Sequence, residues 1–239
     1  MLEVTELKAF NLEGAIRGMR QPFKNTEKSD SIFYCDDSLA HDRLPCREGC
    51  GISLGPNDLR IAQGLIKAGS PHDKFMRQIF VSMDINAPIY WWKEMDTYKV
   101  GTVANSESTM HTITKFEFTS SMFSSDDSYY NDPSMRTGVN KDLTLLQEDI
   151  NLLNVIREFW LKETDEDKKK KLWKTIIEKL PSAYMQKRTW TGNYRILRSI
   201  NEQRENHRLN EWKIFRDALR ELPYANELIF YKKVNENVN

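Results

Sequence analysis

The chain has 239 residues, 39% hydrophobic and 29% charged, with Lys+Arg 35 against Asp+Glu 35. A chain this long and this apolar can bury a sizeable core, which excludes a disordered tail protein. The formal net charge of zero argues against a dedicated nucleic-acid coat, and no run of 18 apolar residues is present to span a membrane. Neither nucleic acid nor a membrane is therefore expected as a partner. Met1-Leu2-Glu3-Val4 lacks the basic start of a signal peptide. Three cysteines, an odd number, fit a reducing cytoplasm better than a disulfide-stapled secreted domain.

Residues 1–55 are irregular, rich in Gly and Pro, and hold all three cysteines; short strands and loops are expected. Residues 57–68 read as a helix: Asn57 or Asp58 can cap it, Leu59, Ala62, Leu65 and Ile66 recur at helical spacing, and Gly69 stops it. Over 75–87, Ile79, Val81, Met83 and Ile85 alternate with mostly polar residues, the pattern of a strand with one apolar face. Pro88 ends it and opens a helix expected to reach about Val100. Residues 114–119 alternate briefly. Residues 120–139 are rich in Ser, Asp, Gly and Pro and predict a mobile loop. From 140 onward the spacing is helical, with Leu143, Leu146, Ile150, Leu153 and Ile156 on one face. Asp165-Glu166-Asp167 precedes Lys168-Lys169-Lys170-Lys171, acids at a helix start and then a solvated basic face. Further helices are expected near 192–204 and 208–221.

Cys35, His41, Cys46 and Cys50 are zinc-type ligands, yet their spacing is that of no standard finger or ribbon, so thiols without a metal are the preferred reading. Tyr90, Trp91 and Trp92 are neighbours on one helix and should face different ways, into the core and toward a subunit contact. Walker, Rossmann, zincin and nucleophile-elbow motifs are absent from the chain. The segment from Leu180 to Trp212 carries more. Trp190-Thr191-Gly192-Asn193-Tyr194-Arg195-Ile196-Leu197 leads into Arg204, His207 and Glu211-Trp212. Asn193 and Arg195 follow an expected loop at a helix start. Arginines there could hold a phosphate or a flat ring; they are equally ordinary as surface charges of an exposed amphipathic helix.

This segment resembles the C-terminal motif of flavin-dependent thymidylate synthases, in which a Leu-Pro step (here Leu180-Pro181) leads to Trp-Thr-x-Asn-x-Arg-x-Leu and then to a second Arg and a His-x-Gln-Trp-Glu stretch. The resemblance extends upstream through Gly69 and His72, Ala87-Pro88 and Asn105-Ser106-Glu107-Ser108, roughly residues 53–222. It implies an α+β fold: one mixed domain over 1–239 with a central antiparallel sheet and a helical C-terminal half, 140–222. It also implies FAD as cofactor, with NADPH and methylenetetrahydrofolate as co-substrates, dUMP as nucleotide substrate, and a cytoplasmic homotetramer. Carried over by position, His72, Gln78, Asn193 and Arg195 would contact the flavin. Lys93 and Ser108 would contact the nucleotide. Arg204 would be catalytic, binding the uracil ring and polarising it so that carbon 5 becomes nucleophilic.

The sequence departs from the family pattern at several charged positions. Thr97-Tyr98-Lys99 stands where the family has Arg-His-Arg. Ser106 replaces a Glu, Met110 and Ile177 replace Arg, and Gln78 replaces a His. Losing a bidentate arginine removes a strong phosphate contact; Arg77, Lys93 and Lys99 are the cations that could replace it. Three readings stand: a thymidylate synthase-like methyltransferase, a flavin or nucleotide enzyme acting on another pyrimidine, and a non-catalytic interaction protein on the same scaffold.

Overall fold

The computed structural model describes residues 1–34, 51–136 and 142–232. Its centre is a four-stranded antiparallel sheet of β1 (Glu3–Phe10), β4 (Phe80–Pro88), β6 (Met185–Asn193) and β5 (Val103–Ser106), in the order β1-β4-β6-β5. β2 (Ile32–Tyr34) and β3 (Gly51–Ser53) pair separately. One face of the sheet is covered and the other is open, as alternation dictates. Val81, Met83, Ile85 and Ala87 are buried, while Phe80 at the start of the strand turns out and Asp84 stands among polar neighbours. On that open face Thr189 donates to Asp84 at 2.6 Å and Lys187 pairs with it at 3.2 Å. The Thr189 hydroxyl first, then Lys187, holds the Asp84 carboxyl below its ordinary pKa.

The covered face carries α1 (Leu12–Arg20), α2 (Pro56–Ala68), α3 (Ile89–Met95), α7 (Tyr194–Gln203), α8 (Asn210–Ala218) and α9 (Ala225–Leu228). Trp91, Trp92, Trp190, Trp212 and Phe215 fill the middle of this core. Trp91 lies 4.8 Å from Trp212 and 5.0 Å from Trp92, centroid to centroid. Both Trp91 and Trp92 are fully buried, so both belong to the core; the Trp92 indole nitrogen donates to the Gln186 carbonyl at 2.9 Å. Gly192 makes room for this packing, because a Cβ there would stand 2.2 Å from the Trp190 ring.

A second, smaller core lies under the hairpin of α5 (Leu145–Lys162) and α6 (Glu166–Lys179), against Ile113, Phe118 and Phe123. A Thr144–Gln147 capping box starts α5, and Asp165 caps α6. Lys168, Lys170 and Lys171 are solvated, as expected, while Lys169 lies over the Trp160 ring at 4.9 Å.

The structure corrects several expectations. Residues 12–20 are a helix, not strand or loop; Leu12, Ala15, Ile16 and Met19 bury one face at helical spacing. The expected strand over 75–87 begins only at Phe80. His72–Gln78 coils as a 3-10 helix because Phe75, Met76 and Ile79 bury one side of it. α3 ends at Met95 and not near Val100, where the Thr97 hydroxyl and amide both fold back to the Glu94 carbonyl. Residues 114–119 pair with no strand among the described residues. The Asn154 side chain clamps the Phe118 backbone instead, accepting at 2.8 Å and donating at 3.0 Å. Within the stretch expected to be mobile, Phe123 and Ser124 are buried, and Phe123 bridges to Tyr184. The cluster of Cys35, His41, Cys46 and Cys50 lies outside the described residues. Among the described residues no three His, Cys, Asp or Glu side chains form a metal-sized group, and no helix is long and apolar enough to cross a membrane.

Candidate functional site

Asn193 and Arg195 follow a strand, β6, and not a loop. The chain turns straight from β6 into α7, with the Asn193 side chain accepting from the Ile196 amide at 3.1 Å as the helix cap. The Tyr194 amide bonds the Ile79 carbonyl at 3.0 Å. Two of the first-turn amides are thus engaged, which leaves the Arg195 guanidinium as the main donor at this end. Its Nε lies 2.7 Å from Asp73 Oδ2, and Asp73 is nearly fully buried. Asp73 stands in the first turn of the 3-10 helix that His72 begins and Gln78 ends. His72, Gln78, Asn193 and Arg195 therefore gather around one junction. His72 and Gln78 are exposed; the Gln78 carbonyl accepts from Asn11 at 3.0 Å. Phe10 and Phe80, paired in register at the same end of the sheet, are both about half exposed.

Arg204 lies at the other end of α7. It lies nine positions on from Arg195, roughly 14 Å along the axis. Its guanidinium is stacked 4.7 Å above the Trp212 ring and 5.5 Å from the Tyr98 ring. Arg204 Nε donates to the Tyr98 hydroxyl at 2.9 Å, and that hydroxyl donates to Gln203 Oε1 at 3.1 Å. Arg204 Nη1 lies 3.0 Å from Glu94 Oε2. The same oxygen accepts from Trp212 Nε1 at 2.8 Å and lies 3.2 Å from His207 Nε2. The Leu209 amide donates to His207 Nδ1 at 3.2 Å, so Nδ1 carries no proton and Nε2 presents its N–H to Glu94.

The elements explain why these groups meet. α3 and α8 cross through the Trp91–Trp212 contact, which sets Glu94 on α3 beside Trp212 on α8. The Tyr90 hydroxyl donates to the buried Glu211 carboxylate and fixes the same crossing. Burial first, then Glu211, pushes the Tyr90 phenol far above its ordinary pKa. Arg204, just past α7, completes the group. The cluster is partly open, with Arg204 18% and Glu94 33% exposed.

The remaining sequence candidates lie farther out. Lys93 is exposed one residue from Glu94, on α3. Ser108 is exposed at the start of α4 (Thr109–Thr112), beyond the sheet edge, with its carbonyl capping that turn. Met110 is exposed, and its carbonyl accepts from Trp173. Sequence reasoning missed Glu94, Tyr98 and Asp73 as partners of the candidate arginines. The available clue was Glu94 itself, a carboxylate in the aromatic run Tyr90-Trp91-Trp92, one turn before Tyr98.

No family model matches the chain, and neither does any curated protein sequence. Solved structures do. Thymidylate synthase X from Helicobacter pylori, crystallised with FAD and dUMP, aligns over 96% of this chain and 97% of its own, at TM-score 0.62 and 14% identity. A second crystal structure of that enzyme with the same two molecules gives TM-score 0.61. PolB, a UMP/dUMP methylase from Streptomyces cacaoi bound with 5-Br dUMP, aligns over 96% of this chain and 95% of its own, at TM-score 0.57 and 12% identity. The fold is that of the flavin-dependent thymidylate synthases. The expectation of an α+β architecture around a central antiparallel sheet holds. The likeness spans nearly the whole chain, so the α5–α6 hairpin and both ends of α7 fall within it.

Proposed function

We propose that this chain is a flavin-dependent methyltransferase acting at carbon 5 of a uracil nucleotide, with dUMP as substrate. The observation that carries this is Arg204. It is held between Trp212, Tyr98 and Glu94 in a partly open cluster, on a fold whose solved relatives were crystallised with FAD and dUMP. A fixed planar guanidinium stabilises negative charge on a ring carbonyl, and that charge raises electron density at carbon 5.

The Arg195 junction suits the flavin. Its terminal nitrogens make no hydrogen bond among the described residues, Asp73 fixes the guanidinium from the buried side, and Phe10 and Phe80 offer exposed rings at the same sheet end. Arg195 would meet the flavin's phosphates and His72 and Gln78 would border them; Asn193 would hold the helix start in place. When bound, FAD supplies hydride transfer between NADPH and the one-carbon group from methylenetetrahydrofolate. The balanced reaction converts dUMP, methylenetetrahydrofolate, NADPH and a proton into dTMP, tetrahydrofolate and NADP+. Assembly as a cytoplasmic homotetramer belongs to the same proposal. Lys93 and Ser108 would approach the nucleotide from the α3 and β5 side.

The test is the absorption spectrum of the purified chain. A bound-flavin spectrum that shifts on adding dUMP supports the reading. A colourless protein that takes up no added FAD overturns it.

A further inference from the structure

We infer that the α5–α6 hairpin carries a second binding site, for a small amphiphile with an anionic head and an unbranched apolar chain, such as a medium-chain carboxylate. The site lies apart from both arginine clusters and does not depend on the nucleotide reading. α5 has two apolar stripes. Leu146, Ile150, Leu153 and Ile156 face the smaller core. Leu152, Val155 and Phe159 recur at i, i+3 and i+7 on the other side, and all three are exposed. Single exposed apolar side chains are ordinary, but a continuous stripe marks a surface that meets something. This stripe runs into a cleft of about 470 Å3 between Phe159 of α5 and Leu172 and Thr175 of α6, a volume in the range of small-molecule sites. The Thr175 hydroxyl donates to the Lys171 carbonyl at 2.9 Å, so its polar group is already satisfied.

The cleft is cationic at one end. Lys168 and Lys171 stand one turn apart on the face of α6 that continues through Leu172 and Thr175. Neither ammonium group makes an ion pair or hydrogen bond among the described residues. The nearby acids are turned to backbone amides. Glu163, which also borders the cleft, accepts from the Thr164 and Asp165 amides at 2.9 Å each. Asp165 accepts from the Asp167 and Lys168 amides at 3.0 and 3.1 Å. Lys162, on the α5 side, lies 3.5 Å from Glu158.

Charge at one end and an apolar track behind it define the ligand. From Lys162 back to Leu152 the track is about 15 Å long, the reach of about a dozen tetrahedral carbons. A carboxylate would sit between Lys168 and Lys171 while its chain covers Phe159, Val155 and Leu152. A lipid surface fits less well, because Glu148 and Glu158 stand beside the stripe on α5 and would repel an anionic bilayer.

The experiment is equilibrium dialysis of the full-length protein against radiolabelled dodecanoate, with FAD and dUMP present to fill their own sites. Wild type should take up one dodecanoate per chain, and dodecyltrimethylammonium, of equal chain length and opposite charge, should displace it at least about tenfold less well than unlabelled dodecanoate. Lys168→Gln combined with Lys171→Gln, both on the solvated face of α6, should weaken dodecanoate about tenfold without weakening the cation. Phe159→Ala should weaken both amphiphiles. No saturable uptake up to about 1 mM, or uptake that the double lysine variant leaves unchanged, overturns the inference. Binding to phosphatidylglycerol vesicles without uptake of monomeric dodecanoate overturns it in favour of a membrane surface. A changed oligomeric state in Phe159→Ala, with no uptake by wild type, overturns it in favour of a contact between copies. Dodecanoate uptake by protein that binds no flavin supports the inference while the nucleotide reading fails.

Discussion

Two arginine–carboxylate pairs in this molecule look alike in sequence and differ in what surrounds them. Arg20 and Asp58, joining α1 to α2, are 1% and 0% exposed, with Nε and Oδ1 at 2.5 Å. The second oxygen of Asp58 is also in use, accepting from the Ser29 and Ser31 hydroxyls at 2.6 Å each and from the Ser31 amide at 3.2 Å. Both oxygens of Asp58 are spoken for and the pair is buried, while Arg20 Nη2 makes no hydrogen bond among the described residues. Arg204 and Glu94 are partly open, with one carboxylate oxygen crowded and the other bare. A buried pair with a saturated carboxylate holds helices together. A pair with a spare donor and a spare acceptor can bind something.

The largest effect should come from breaking the buried pair. Asp58→Ala leaves Arg20 charged and buried, which costs about 3–5 kcal/mol. Urea unfolding should show this loss, while flavin and nucleotide affinities of the folded fraction stay as in wild type. The same carboxylate gives a pH dependence. Burial raises its pKa, but the Ser29 and Ser31 hydroxyls and Arg20 outweigh burial and hold it below the ordinary value. A carboxyl depressed in the folded state stabilises above its unfolded pKa, near 4, and loses that contribution as pH falls through the folded value. Wild type should therefore lose more stability than Asp58→Ala on acidification below about pH 4.

A middle effect is expected at Arg195. Arg195→Ala leaves Asp73 buried without its cation and should cost about 1–3 kcal/mol. It should also release flavin, whereas Asp73→Asn, which spares the guanidinium, should keep it. Flavin retained equally by both variants would place the cofactor elsewhere. The smallest effect belongs to Tyr98→Phe, which removes the acceptor of Arg204 Nε and costs about 1 kcal/mol in thermal unfolding. Nucleotide affinity should fall further than that stability loss alone accounts for, because Arg204 then loses its fixed plane. An unchanged affinity would mean that Trp212 stacking suffices.

Much of the fold was legible. The period-two run from Val81 to Ile85 and the helical spacing at 57–68, 145–162 and 166–179 reflect simple one-sided burial, which a linear pattern records directly. The N-terminal helix was obscured by Gly14 and Gly18. Gly18 is small because the Gln78 side chain packs against it; a Cβ there would stand 2.5 Å from Gln78 Oε1, and contacts sixty residues apart leave no local periodicity. The site was half legible. Arg195, Arg204, His207 and Trp212 share one C-terminal segment, so their order along the chain showed them. Glu94, Tyr98 and Asp73 come from distant segments and join only through the α3–α8 crossing and the packing of the 3-10 helix on α7. Sequence spacing therefore pointed to the cations and not to the carboxylates that orient them.

The central claim, methyl transfer to carbon 5 of a uracil nucleotide, can be tested directly because substitution there must release the hydrogen that carbon 5 carries. Flavin-loaded protein would be incubated with dUMP tritiated at carbon 5, NADPH and methylenetetrahydrofolate, and tritium counted in the recovered water. The account predicts release that depends on both co-substrates and falls by at least about tenfold in Arg204→Ala. Tritium retained on the nucleotide, with flavin and dUMP both bound, would contradict it.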